Sequence, residues 1–158
     1  MSSKIVNQFI KKFSLKEGQI DELDNDASAR IYFRTNNKII AYIPKEKGES
    51  ISNFISATKI LNNIGIKVPN IHIQDKKLEV LLIDDFGNNK ISKIINQCDV
   101  REILKKCIDV IVKIQSYEHK NDVSTFDLKA IIEETLMFID WYLIKEKNIS
   151  VSHTDRNS

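Results

Sequence analysis

The residues best suited to chemistry lie in one stretch, Asp24-Asn25-Asp26-Ala27-Ser28-Ala29-Arg30-Ile31-Tyr32-Phe33-Arg34. Small and polar residues come first, and a strand-like run follows. A tight loop feeding a strand can lay backbone N–H groups against a phosphate, with Arg30 able to reach back to the same anion. The same letters serve an ordinary hairpin turn. In that case Asp26 caps the turn and would repel a phosphate.

Other groups carry less. His72 alternates on a strand pattern and His119 lies in a polar loop. Neither has the neighbours of a metal site, so no metal ligand is assigned. Cys98 and Cys107 lack a CxxC spacing and read as reduced thiols of a cytoplasmic protein, Cys107 on the apolar face of a helix. The formal net charge is +2, with acids and bases nearly balanced and lysines scattered. That balance argues against a nucleic-acid or anionic-membrane partner. Met1-Ser2-Ser3-Lys4 does not open a continuous apolar core, and no run approaches membrane-spanning length.

The elements around the loop follow from periodicity. Ser3 to Phe13 places Ile5, Val6, Phe9, Ile10 and Phe13 on one helical stripe. Gln19 to Leu23 reads as a first strand, Arg30 to Thr35 as a second and Lys38 to Ile43 as a third. Asn36-Asn37 is the two-residue turn between the last two, and Pro44 stops the third. Ser50 caps a helix from Ile51 to Ile64, and Gly65 sits where a left-handed C-terminal residue belongs. Ile71 to Gln74 and Leu78 to Ile83 are two strands joined by Asp75-Lys76-Lys77. A short helix at Ile91 to Asn96 comes next. Asp99-Val100-Arg101-Glu102 is a capping box opening a helix to about Tyr117. Asp127 to Lys147 is helical with a break near Asp140, and Ile149 to Ser158 is unpatterned. By pattern alone this is an α+β chain with an antiparallel sheet.

Four of these stretches, in order, resemble one family. Asp26 to Arg34 is similar to the "D-A-S-x-R-x-Y-x-R" segment of a bacterial branch of the aminoglycoside phosphotransferase family. That branch contains the cell-wall sugar kinases acting on N-acetylmuramate and N-acetylglucosamine. Gly65-Ile66-Lys67-Val68-Pro69 resembles its "G-h-x-V-P" turn, where h is apolar. Leu81 to Gly87 resembles its "L-L-x-x-D-L/F-G" hinge, and Glu134 to Leu143 its "E-x-x-x-F-x-x-W-Y-L" helix. The resemblance implies ATP as cofactor, with Asp26, Ala27, Ser28 and Arg30 at the phosphates and Ile83, Asp84, Asp85 and Phe86 holding adenine. Glu133, Glu134, Trp141 and Tyr142 fall in a region that abuts the family's substrate cleft.

Departures from the family matter as much. Related enzymes put Lys or Arg two residues before a strand-ending Pro; here that position is Tyr42. The helix Ile51 to Ile64 contains no Glu, although Glu49 lies just before it. Asp85-Phe86-Gly87 spells the kinase Mg²⁺ motif D-F-G, but it follows the fifth strand rather than a catalytic loop. His153-Thr154-Asp155 begins an H-x-D-x-x-x-x-N loop without the context of one. No catalytic residue and no metal ligand is therefore assigned.

The expected fold is α+β: a protein kinase-like small lobe over 1–87, a five-stranded antiparallel sheet with one packed helix. Linker helices of an incomplete large lobe follow over 88–148, and a disordered tail over 149–158. The expected function is the N-terminal, nucleotide-binding part of a cytoplasmic phosphotransferase acting on a sugar or aminoglycoside-like hydroxyl. It is expected to be inactive as an isolated chain. A second chain carrying the missing large lobe would be its partner, and Mg²⁺ would enter only with that lobe. The alternative is a non-catalytic nucleotide-binding or protein-interaction module.

Overall fold

The computed structural model describes residues 2–15, 19–24, 29–97, 99–118 and 127–156. It is an α+β protein with an open five-stranded antiparallel sheet. The chain divides into two compact units, Met1–Val123 and Ser124–Ser158. No helix among the described residues is long and apolar enough to cross a membrane.

The first unit opens with helix α1 (Ser2–Lys12), then strands β1 (Asp21–Glu22), β2 (Ile31–Thr35) and β3 (Lys38–Tyr42). Helix α2 (Ile51–Asn63) separates β3 from β4 (Ile71–Asp75) and β5 (Val80–Asp84). All pairings are antiparallel, in the order β1-β2-β3-β5-β4. β1 is shorter than the pattern predicts, because only Asp21 and Glu22 keep register with β2 before Leu23 N–H donates a last bond to the Tyr32 carbonyl.

Strand alternation sorts the core into two layers. Ile40 and Tyr42 of β3, with Val80 and Leu82 of β5, pack under α1 against Val6, Phe9 and Ile10. Their neighbours Ile39, Ala41, Leu81 and Ile83 face the other way, toward Ile51 and Phe54 of α2. The sheet is thus sandwiched between two helices. Each large side chain buried this way, such as Phe9 or Leu81, adds about 1.5–3 kcal/mol of transfer free energy.

Local signals set the boundaries. Asn36 and Asn37 both take positive φ, 42° and 61°, as the tight turn between β2 and β3 requires. Ser50 Oγ accepts from Asn53 N–H to cap α2. Gly65 ends it at φ 72°, with Gly65 N–H to the Asn62 carbonyl and Ile66 N–H to the Leu61 carbonyl. Those two bonds are the double closure of a left-handed helix end. β5 starts two residues later than expected. The Asp75 carboxylate accepts from Lys77 and Leu78 N–H, and Glu79 turns at φ 59°, so the connection takes in Leu78 and Glu79. The same carboxylate is ion-paired to Lys12, tying the end of α1 to β4.

Beyond the sheet lie α3 (Ile91–Ile94), a 3₁₀ turn, and α4 (Val100–Gln115). Asp99 caps α4 by accepting from Arg101 N–H. No residue of α4 is buried, and Leu104, Ile108 and Ile111 are each more than half exposed. Cys107, expected in a core, is a half-buried free thiol instead. It lines an apolar cavity of about 500 Å³ with Ile91, Ile94, Ile103 and Val110.

In the second unit α5 (Leu128–Met137) continues as a π-helix over Phe138–Glu146, so the helical geometry changes just before Asp140. The tail, unpatterned in sequence, carries a single helical turn, α6 (His153–Arg156). Arg156 grips Asp140 there through two parallel bonds of 2.5 and 2.8 Å. Phe138 and Tyr142 stack at 5.2 Å, and Lys145 Nζ lies 3.7 Å from the Trp141 ring centre.

Candidate functional site

Period-two alternation along β2 puts Arg30, Tyr32 and Arg34 on one face of the sheet. Tyr32 packs into the layer against α2, whereas Phe33 packs under α1, so the R-x-Y-x-R segment is turned toward α2. Four residues of extended chain separate the two arginines by about 13 Å.

Arg30 stands at the head of β2, immediately after the loop. Its Nε donates to Glu49 Oε2 at 2.8 Å, and its guanidinium lies 5.6 Å from the Phe54 ring centre. Partial burial works against its charge, but hydrogen bonds to Glu49 and Tyr32 outweigh that and raise its pKa further. Asp26, Ala27 and Ser28, expected beside it at the phosphates, lie outside the described residues.

Arg34 marks the opposite end, beside the segment that follows β5. Its Nη2 donates to Asp85 Oδ1 at 3.0 Å and its Nη1 to Asn88 Oδ1 at 2.7 Å. Nε lies 2.6 Å from Asp85 Oδ2 but is too poorly aligned to form a hydrogen bond, so that contact is coulombic. Asp85 Oδ1 also accepts from Gly87 N–H at 2.8 Å. Arg34 holds this carboxyl below the usual carboxylate range. The D-F-G spelling is therefore a turn whose aspartate is committed to an arginine.

Asp84, one residue earlier, is the centre of a second cluster. Lys38 Nζ reaches its Oδ1 at 2.7 Å and His72 Nε2 the same oxygen at 2.6 Å. Asn70 donates to Oδ2 through both its backbone N–H and its Nδ2. Lys38, then His72 and Asn70, hold the Asp84 carboxyl far below the ordinary range. His72 Nε2 also lies 2.7 Å from Lys38 Nζ. Because one nitrogen cannot both donate and accept, we assign its proton to the carboxylate.

Of the hinge residues expected at adenine, Ile83 is buried in the α2-facing layer, while Asp84 and Asp85 direct their carboxylates into these clusters. Phe86 is exposed, with Lys67 Nζ 5.5 Å from its ring centre. The Asp84 N–H donates to the Asn70 carbonyl. Of these four residues Phe86 alone leaves its side chain exposed.

Tyr42, the position at which the resemblance leads one to expect a cation, faces α1 and hydrogen-bonds Glu46 Oε1 at 3.2 Å. Sequence reasoning missed Asn70 and His72 as partners of Asp84. Their spacing of two on β4 was the available signal, together with Lys38 standing opposite Asp84 in the β3–β5 register. The described residues contain no group of three or more His, Cys, Asp and Glu able to hold a metal ion. His153-Thr154-Asp155 falls on the single turn of α6. A cavity of about 380 Å³ opens beside the Asp84 cluster, between α2 and β4, lined by Thr58, Lys59, Asn62, Asn70, His72 and Gln74 among others.

No family model and no curated protein sequence matches this chain.

Proposed function

We propose that this chain is the nucleotide-binding part of an ATP-dependent phosphotransferase acting on a sugar or aminoglycoside-like hydroxyl. It is built as a kinase-like small lobe followed by the first helices of a large lobe. The carrying observation is the sheet, in the order β1-β2-β3-β5-β4 with α2 inserted between β3 and β4. R-x-Y-x-R lies on its α2 side. Adenine would rest at the hinge, Asp85 to Phe86, and the polyphosphate would extend toward the loop before β2 and Arg30.

Phosphoryl transfer depends on positioning and charge stabilisation, with Mg²⁺ and an acceptor-orienting acid supplied from the large lobe. That lobe would also supply the sugar site. The uncovered apolar faces of α4 and of the π-helix, where Phe138 and Trp141 are each more than half exposed, support further packing partners there.

One observation favours the second reading, a non-catalytic nucleotide-binding or interaction module: β3 presents no cation toward α2. Mixing the chain with a separately made large lobe distinguishes the two. Restored sugar phosphorylation supports the enzyme, and nucleotide binding without it supports the module. Calorimetric titration with ATP tests the shared premise. Saturable binding is expected; its absence would defeat the enzyme and the nucleotide-binding module and leave only an interaction module.

A further inference from the structure

The ion pair between Arg30 and Glu49 joins the start of β2 to the residue before the α2 cap. In the β2–β3 register Ile31 stands opposite Tyr42, which places Arg30 level with Ile43. Ile43 itself is fully buried against α2 and Tyr42 faces α1, so β3 offers no charge on this side. A cation is nevertheless present one strand over, on the α2 side and level with Ile43.

We infer that Glu49 is a positioning residue for phosphate binding, holding the Arg30 guanidinium at the phosphate end of the nucleotide site. This rests on the nucleotide reading above. In protein kinases a strand-to-helix cation–carboxylate pair is made by a strand lysine and a helix glutamate. Here both members have moved, the cation to the neighbouring strand and the carboxylate to the head of the helix.

Among the described residues, contacts from Glu49, Tyr32 and Phe54 hold the guanidinium. Glu49 takes Nε, Tyr32 hydrogen-bonds from the same strand face, and the Phe54 ring, one turn into α2, lies beneath. An arginine stem has four rotatable bonds, and a carboxylate on Nε removes most of that freedom while leaving the group charged. Movement of α2 would carry Glu49 with it, so the pair also couples helix position to the phosphate end of the site.

A purely structural tether would affect every ligand alike, whereas a positioning role affects only ligands that carry phosphate. The full chain is titrated with ATP, ADP and adenosine as wild type, R30A, E49Q and the double variant, with thermal unfolding recorded for each. The inference expects R30A and E49Q to lose about tenfold in ATP and ADP affinity. Adenosine affinity stays unchanged, and the double variant is no weaker than R30A. R30K keeps the charge but lacks the Nε that Glu49 holds, and it should lose most of the same affinity, which covers the case of R30A failing to fold. Unchanged ATP binding in E49Q, or equal losses for ATP and adenosine, would overturn the inference while leaving the nucleotide reading standing. Wild type that binds none of the three ligands would defeat both.

Discussion

Replacing Arg34 with methionine keeps the stem packed on the sheet and removes the guanidinium that joins β2 to Asp85 and Asn88 after β5. The Asp85 side chain is only 13% exposed. Among its described partners it would keep only the Gly87 N–H. A hydrogen bond to a charged group is worth about 1.5–3 kcal/mol net. The 3–5 kcal/mol typical of breaking a fully buried ion pair is too large here, because Arg34 is a quarter exposed and water can reach the carboxylate. R34M should therefore cost about 2 kcal/mol. Asp85→Asn, which keeps the acceptor for Gly87, should cost about 1 kcal/mol, and the double variant should show coupling of similar size.

The sign of the pH dependence follows from the depressed Asp85 pKa. The contribution is fully present above the unfolded value near 4 and is lost as pH falls through the folded one. Urea unfolding followed by circular dichroism should separate wild type from D85N at neutral pH, and the two curves should converge in acid. An R34M curve within about 0.5 kcal/mol of wild type, or a D85N gap that ignores pH, would refute the reasoning.

Two other sites yield predictions from the same physics. Asp75→Ala should destabilise more than Lys12→Ala, by about 2–3 against about 1 kcal/mol, because the carboxylate is buried and also caps two backbone donors, whereas Lys12 stays half in water. Lys12 lowers the Asp75 pKa, so this stability too should fade as pH drops through the folded value, and denaturant midpoints in the reverse order would contradict the account. Gly65→Ala should cost about 1 kcal/mol through its positive φ rather than through crowding, since the nearest atom to a new Cβ is Lys113 Nζ at 3.5 Å. Thermal unfolding with Gly65→Asn as the milder control checks it, and equal losses would point elsewhere.

The sheet was legible because its signals were local and mutually consistent: Asn36-Asn37 for the turn, Ser50 and Gly65 for the ends of α2, and the apolar runs of β3 and β5. Asp75 shows where local reading stops. Its side chain lengthens a turn by bonding two backbone donors, and nothing in the spelling Asp75-Lys76-Lys77 announces that. The charge partnerships were invisible for a related reason. Arg34 and Asp85 lie 51 positions apart, and Lys38 and Asp84 lie 46 apart, and only the folded register brings them together. Glu49 was noticed as lying outside its helix, but its partner follows from β2 and α2 meeting at that end of the sheet. For α4 the apolar stripe was legible, while its exposure was not, because periodicity marks a face without saying what covers it.

Backbone amide shifts recorded during titration of the full chain with ATP would test the central claim most directly. The account predicts saturable shifts gathered at Ile83 to Gly87 and at Ala29 to Ile31, two clusters on the α2 side about 13 Å apart. Shifts confined to the cavity between α2 and β4, or none up to millimolar nucleotide, would contradict it.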